Sequence, residues 1–156
     1  VKGDPEVVGA LNELLTHELT AINQYYVHSK MCANWGYKAL AKRKMDEAME
    51  EMRHADQLIE RILFLEGVPN MQKLGAVKVG EDAIEQHEAD LGLEMVARER
   101  LNRFIALFTK KGDNGSRLLA EKILAEEEDA VDWLETQLML VKEIGKEHYL
   151  AQQMRE

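Results

Sequence analysis

Between Pro69 and Gly80 the sequence reads PNMQKLGAVKVG, a stretch that keeps no helical period. On either side the chain keeps one almost without a break. Pro5 and Pro69 are its only prolines, so long segments contain nothing that would stop a helix. Asp4-Pro5 is a helix start, with Asp as the cap and Pro at the first helical position. From Val7 to about Asn34, the residues Leu11, Leu14, Leu15, Ile22 and Tyr25 recur on one face. A short break at Trp35-Gly36 leads into a second helix, from about Tyr37 to Glu66, which Gly67 and Pro69 end. A third helix is expected from near Glu81 to about Lys111. The turn Gly112-Asp113-Asn114-Gly115 follows. The fourth helix runs from Ser116 to about Ile144, Gly145 ends it, and a short fifth spans about Lys146 to Met154.

The connection lengths set the topology. Short turns make helices one and two, and helices three and four, antiparallel hairpins. The twelve residues from Pro69 to Gly80 can reach about 40 Å at ~3.3 Å each. A helix of about 28 residues is also roughly 40 Å long. The linker can therefore cross the whole bundle, which makes helices two and three parallel. The expected fold is an all-α four-helix bundle with one long crossover and a short C-terminal fifth helix.

A chain of 156 residues is long enough for one domain with a sizeable core, and residues 1–156 are read as one. The formal net charge of −9 argues against nucleic acid and against an anionic membrane, and suits a protein that attracts cations. The single cysteine, Cys32, has no partner for an internal disulfide, which points to a reducing compartment. No signal peptide and no membrane-spanning run is visible, so a cytoplasmic location is expected.

Each of the four apolar stripes contains a glutamate. Glu18 lies among Leu11, Leu14, Leu15, Ile22 and Tyr25. Glu51 shares a face with Ala48, Ala55, Leu58 and Ile62. Glu94 lies among Leu91, Leu101 and Ile105, and Glu127 among Ile123, Leu124, Val131 and Leu134. Thirty-three residues separate Glu18 from Glu51, and the same number separates Glu94 from Glu127. The chain thus reads as two related hairpins, each with a Glu on its first helix and a Glu-x-x-companion on its second. The companion of Glu51 is His54; that of Glu127 is Ala130. A single glutamate on an apolar stripe ordinarily snorkels to water or pairs with Lys or Arg. Four of them, converging with a histidine, would repel one another in a low-dielectric interior unless cations neutralised them. Carboxylate with imidazole suits iron, manganese or zinc. A Glu from each of two helices plus Glu-x-x-His from the others is a di-iron pattern.

The stretches KGDPEVV, LTAINQYYVHSKM, ANWGYKAL, EEMRHADQLIERILFLEGVPN, VGED and DWLETQL together resemble the bacterioferritins, over essentially the whole chain. The resemblance implies a ferritin-like four-helix bundle that assembles into a hollow shell of 24 subunits. It implies oxidation of Fe(II) by oxygen or peroxide at a di-iron ferroxidase centre, and storage of the ferric mineral inside. Carried over by position, Glu18, Glu51 and His54 would hold one iron. Glu94, Glu127 and a bridging Glu51 would hold the other, with a histidine where Ala130 stands. The resemblance also implies haem b between two subunits, with Met52 as the axial ligand from each. At ~100° per residue Met52 points away from the Glu51/His54 face and lies in line with Met45 and Met49. By itself such a stripe would be packing or an interface. Leu19, Ile22, Asn23 and Tyr26 are expected at the same interface.

Ala130 offers no donor atom, and Glu128 and Asp129 project from other sides of the helix. Two readings follow. In one, the subunit is a ferroxidase whose second metal position is weakened. In the other, it is a haem-carrying shell subunit without ferroxidase activity that co-assembles with a second, competent bacterioferritin subunit. A peroxidase-like or oxygenase di-iron bundle would call for two complete Glu-x-x-His motifs, which the chain lacks. His17, His28, His87 and His148 have no partners at ligand spacing and read as solvated or as ordinary polar contacts. Tyr25 and Asp90 share the Glu18 and Glu94 faces and could bond a metal-bound carboxylate, although core packing explains Tyr25 equally well. Glu47 and Glu50 read either as a path for iron or as a solvated charge run.

Overall fold

The computed structural model describes residues 1–156. Its elements are α1 (Pro5–Asn34), α2 (Lys38–Phe64), α3 (Ala83–Lys110), α4 (Asn114–Ile144) and α5 (Lys146–Gln152), with no strand. The boundaries lie within two residues of those read from periodicity. Three of the four long helices start on an aspartate whose carboxylate accepts a backbone N–H: Asp4 from Glu6, Asp82 from Glu85 and Asp113 from Ser116. No helix is long and apolar enough to cross a membrane.

The crossover does what its length predicts. It is stitched along α1 in ascending order. Asn12 donates to Val68 O and accepts from Asn70 N–H, Thr20 Oγ1 accepts Gly75 N–H, Gln24 Oε1 accepts Lys78 N–H, and His28 Nε2 accepts Gly80 N–H. The linker therefore runs from the N-terminal end of α1 to its C-terminal end, and α3 begins where α2 began. Helices α2 and α3 are parallel, as a one-crossover bundle requires. Extended linker backbone has no ladder of its own, and the polar side chains of α1 satisfy it instead. Gly80 permits the final turn into α3, because a Cβ there would lie 2.4 Å from the backbone nitrogen of Gln86.

At the end of α2 the structure differs in detail from the sequence reading. Glu66, not Gly67, takes the left-handed conformation, with φ 61°. Gly67 is needed for space: a Cβ would stand 2.6 Å from Val8 Cγ1.

The core is divided along the bundle axis. One end is a continuous apolar cluster that includes Val7, Leu11, Leu15, Leu58, Ile62, Leu101, Phe108 and Ile123. Each such side chain contributes about 1.5–3 kcal/mol on burial. A smaller cluster, with Cys32, Leu40, Ala83 and Tyr149, closes the other end beneath α5. Between them lies a belt of buried polar and charged residues on all four long helices. It includes Glu18, Gln24 and His28 of α1, Lys44, Glu51 and His54 of α2, His87, Asp90 and Glu94 of α3, and Glu127 of α4. The solvated reading of three histidines is thereby corrected: His17, His28 and His87 are buried, and only His148 of the four is exposed. The crossover and α5 cover faces that helical periodicity alone leaves open to water.

Candidate metal centre

All five side chains read as metal ligands are buried in the belt, each at 2% exposure or less. Glu18, Glu51, His54 and Glu127 bring ligand atoms within 4.8 Å of one another. His54 Nδ1 lies 3.2 Å from Glu127 Oε1, 3.5 Å from Glu18 Oε2 and 3.9 Å from Glu51 Oε1. Two ligands held ~2.1 Å from one ion stand at most about 4.2 Å apart, so these separations fit a common centre. Glu94 lies outside that group, against Glu127 and Tyr25. The Tyr25 hydroxyl donates to Glu94 Oε1 at 3.2 Å.

Polar satisfaction is poor here and nowhere else in the belt to the same degree. Glu18 Oε2, Glu51 Oε2, His54 Nδ1, Glu94 Oε2 and both oxygens of Glu127 are buried without a hydrogen-bond partner. His54 Nδ1 and Glu127 Oε1 are close, yet neither completes a hydrogen bond. Buried polar atoms are nearly always paired. A cluster of them on four glutamates and one histidine, whose deprotonated forms are all ligands, fits a cation.

The electrostatics say the same. Burial, then the charges of Glu18, Glu127 and Glu94, pushes Glu51 well above the ordinary carboxylate range. Burial, then Glu127, does so for Glu94. Burial opposes the charge on Glu127 too, but Glu94, His54 and Glu51 outweigh it and hold that carboxyl at about 2. Burial likewise disfavours imidazolium at His54, and Glu127 and Glu18 overcome it, raising His54 to about 11. Without a metal these surroundings favour the protonated forms of Glu51, Glu94 and His54. Divalent cations would replace those protons.

Ala130 is buried on α4, one turn beyond Glu127, and presents only a methyl group. Its neighbours Glu128 and Asp129 are exposed, and Glu128 is engaged with Arg98 at 2.7 Å. Nothing on α4 restores the nitrogen.

Two residues the sequence reading passed over or left undecided also meet His54. Glu126 Oε2 lies 2.5 Å from His54 Nε2, and Glu50 Oε1 lies 4.0 Å from the same nitrogen. The signal for Glu50 is its i, i+4 spacing to His54. Glu126 has only its place beside Glu127. Glu47 is buried, and Arg43 binds it at 3.0 Å.

One turn away from Glu94 on α3 stands a second charged cluster. Lys44 Nζ donates to Asp90 Oδ2 at 2.5 Å and to His87 Nδ1 at 3.0 Å. His87 Nε2–H then donates to the Tyr149 hydroxyl, which donates to Gln137 Oε1. Gln24 donates to Asp90 Oδ1. Because Gly80 N–H occupies His28 Nε2, the proton of His28 is on Nδ1 and points to Asp90 Oδ1 at 2.9 Å. Asp90 therefore serves this network rather than a metal-bound carboxylate. Burial pushes Asp90 up, but Lys44 and His28 more than offset it and hold the carboxyl at about 2. Burial, then Lys44, depresses His87 to about 3. Cys32 donates to Gln86 Oε1, and burial raises its thiol to about 11, which leaves it unreactive.

On the outer surface of α1 and α2, Tyr26, Met49 and Met52 are roughly half exposed. Met52 is free of the buried belt, as its angle around α2 predicts.

A family model described as a ferritin-like domain matches residues 8–144. Bacterioferritin of Mycobacterium leprae is 50% identical over 97% of this chain and 96% of its own length. Bacterioferritin BfrA of Mycobacterium tuberculosis is 49% identical over the same shares. Bacterioferritin of Streptomyces coelicolor is 47% identical over 97% of this chain and 90% of its own.

Proposed function

This chain belongs to the bacterioferritin family, and from that premise we propose that it is an iron-storage subunit whose buried carboxylate cluster binds Fe(II) for oxidation by oxygen or peroxide. The observation that supports this is the set of unpartnered donor atoms on Glu18, Glu51, His54, Glu94 and Glu127. Fe(II) is the substrate and the ferric mineral the stored cargo, held in a shell of 24 subunits.

Glu18, Glu51 and His54 serve the first metal position, with Glu127 between the two. Glu94, Glu127 and Glu51 serve the second, which Ala130 leaves with oxygen ligands only. An imidazole fixed by its surroundings is a stronger ligand than water in its place. The second position is therefore weak, and the ferroxidase step of this subunit is slow. Stopped-flow oxidation of two Fe(II) per subunit by the homopolymer tests the reading. Ala130→His is expected to speed the fast phase by about 10–100-fold. A fast, saturating phase already present in the unaltered chain and unchanged by Ala130→His would overturn it.

Ala130 supports a second reading, in which this chain is the haem-carrying subunit of a shell completed by a ferroxidase-competent partner subunit. Native mass spectrometry of shells from their source distinguishes the two. A homopolymer active in iron uptake counts against the second.

The half-exposed thioether of Met52, one turn from the similarly exposed Met49 on α2, fits a haem face shared by two subunits. Haem b bound by two thioethers favours the ferrous state and electron transfer. Met52 would ligate, while the flanking apolar side chains exclude water. Met52→Leu is expected to abolish the haem Soret band without dissociating the shell.

A further inference from the structure

Between α1, the crossover and α3 lies a cavity of about 470 Å³ that shares no residue with the metal cluster or with Met52. Ligand pockets measure about 300–1,000 Å³. We propose that this one binds a small organic carboxylate with an apolar body, its head group at Arg100 and Lys73. The proposal is independent of the ferroxidase and haem readings.

The crossover is fixed over the cavity by α1. Thr20 Oγ1 accepts Gly75 N–H at 2.8 Å, and Gln24 Oε1 accepts Lys78 N–H at 3.0 Å. Lys78 thus stands at Gln24. Lys73, two residues before Gly75, stands on the side of Thr16 and His17. Helix α3 descends as α1 ascends: its Asp90 meets Gln24 and His28, and its Glu94 meets Tyr25. At ~1.5 Å per residue Arg100 lies about 9 Å past Glu94, toward the His17 end. Glu88, two residues before Asp90, lies toward the Gln24 end. The pocket therefore has two unlike ends.

At the Gln24 end Lys78 and Glu88 offset each other in charge. At the His17 end Lys73 and Arg100 make no ion pair, while Glu13, the one carboxylate lining that end, reaches Arg103 at 3.9 Å. His17 lines the same end, is 5% exposed, and its Nε2 has no hydrogen-bond partner. Two uncommitted cations, an unsatisfied imidazole and the hydroxyl of Thr16 form a donor set for one oxyanion. The chain carries a net charge of −9, so a positive end is a local exception.

Between the ends the wall is apolar. Ala89, Leu93 and Val96 line it from α3, and Leu74 and Ala76 from the crossover. Gly92 leaves it open, because a Cβ there would meet no atom within 4 Å. Inorganic phosphate would fill the positive end and leave this wall in water. A carboxylate on a short hydrocarbon body covers both. A simpler account makes the cavity a solvent-filled seam left by small residues. That explains its volume but leaves the buried imidazole unexplained.

Titration calorimetry of hexanoate into the assembled protein tests the proposal. One site per subunit is expected, at least about tenfold tighter than for acetate, because four more methylenes are buried. Hexanol, which lacks the charge, should bind at least about tenfold more weakly than hexanoate. Arg100→Gln/Lys73→Gln should erase that preference. Gly92→Leu should abolish binding by filling the apolar wall, with an unchanged or raised thermal midpoint, since leucine favours the helix more than glycine does. Absence of millimolar hexanoate binding overturns the proposal, as does equally tight binding of hexanol or inorganic phosphate. Binding that survives Gly92→Leu also overturns it, because the ligand then sits elsewhere. Anomalous scattering from 6-bromohexanoate in crystals of the unaltered protein needs no variant to fold. Bromine beside Gly92 and Val96 supports the proposal, and bromine only at other places overturns it.

Discussion

Asp90 and Glu94 are one helical turn apart on α3, both fully buried, and belong to clusters of opposite character. Around Asp90, Lys44, His28, His87, Gln24, Tyr149 and Gln137 bond one another, and none of their fully buried side-chain nitrogens or oxygens is left unpartnered. Around Glu94, carboxylates face carboxylates and several oxygens have no partner. Burial is equal, so burial does not mark the site. The difference is closure. A charged network that satisfies itself is architecture, and one that leaves its lone pairs aimed at a common point requires something from outside.

The largest expected effect comes from opening the closed cluster. Asp90→Ala leaves Lys44 charged and uncompensated in the interior and should cost about 3–5 kcal/mol by chemical denaturation. If the loss is under about 1 kcal/mol, Lys44 has another partner or reaches water, and the closure argument fails. The same kind of change in the open cluster should behave differently. Glu94→Gln mimics the protonated carboxyl that burial and Glu127 favour without metal. It should leave metal-free stability unchanged or raised, while cation affinity falls by about 10–100-fold in a titration with Co(II).

His87 and Asp90 should answer pH in the opposite direction to Glu51 and Glu94. The folded pKa of His87, about 3, lies below the unfolded value near 6.5, so between those values the unfolded chain binds more protons. The contribution of His87 is full above pH 6.5 and is lost as pH falls toward 3, at up to about 1.4 kcal/mol per pH unit. Asp90, lowered from 3.8 to about 2, adds a loss of the same sign below 3.8. Glu51 and Glu94 are raised, so their contribution is present at low pH and is lost as pH rises above the unfolded carboxylate value. His87→Gln should flatten the acid limb of a stability–pH curve for the metal-free protein, and Glu94→Gln should flatten the limb above it. An unchanged acid limb in His87→Gln would show that His87 titrates freely.

The smallest effect lies outside both clusters. Thr20 accepts Gly75 N–H from the crossover and donates to Thr16 O. Thr20→Val should cost about 1 kcal/mol with no change in cation binding, read as a shift in thermal midpoint.

Much of this molecule is legible from local pattern. The 3.6-residue period marks the long helices, and Pro69 to Gly80 is long enough to cross the bundle, which α1 then stitches down. Glu18, Glu51, Glu94 and Glu127 stand out because each interrupts an apolar stripe. Lys44 does not: in the run KRKMDEAMEE it looks like one more surface charge, yet it is fully buried. His28 and His87 read as unattached for the same reason, since their partners lie between 43 and 62 residues away, on other segments. Glu126 is 72 residues from His54, and only the register of α2 against α4 brings them together.

The sequence alone therefore determined the helices, their order and direction, the faces that carry the inner carboxylates, and the missing histidine at Ala130. Each of these follows from spacing within one helix or from the reach of one loop. Tertiary structure alone decided which buried charges neutralise one another and which remain open, and to which carboxylates each nitrogen of His54 is turned. Those depend on interhelical register at the scale of a single hydrogen bond, a few tenths of an ångström, which no periodicity within a strand of sequence encodes.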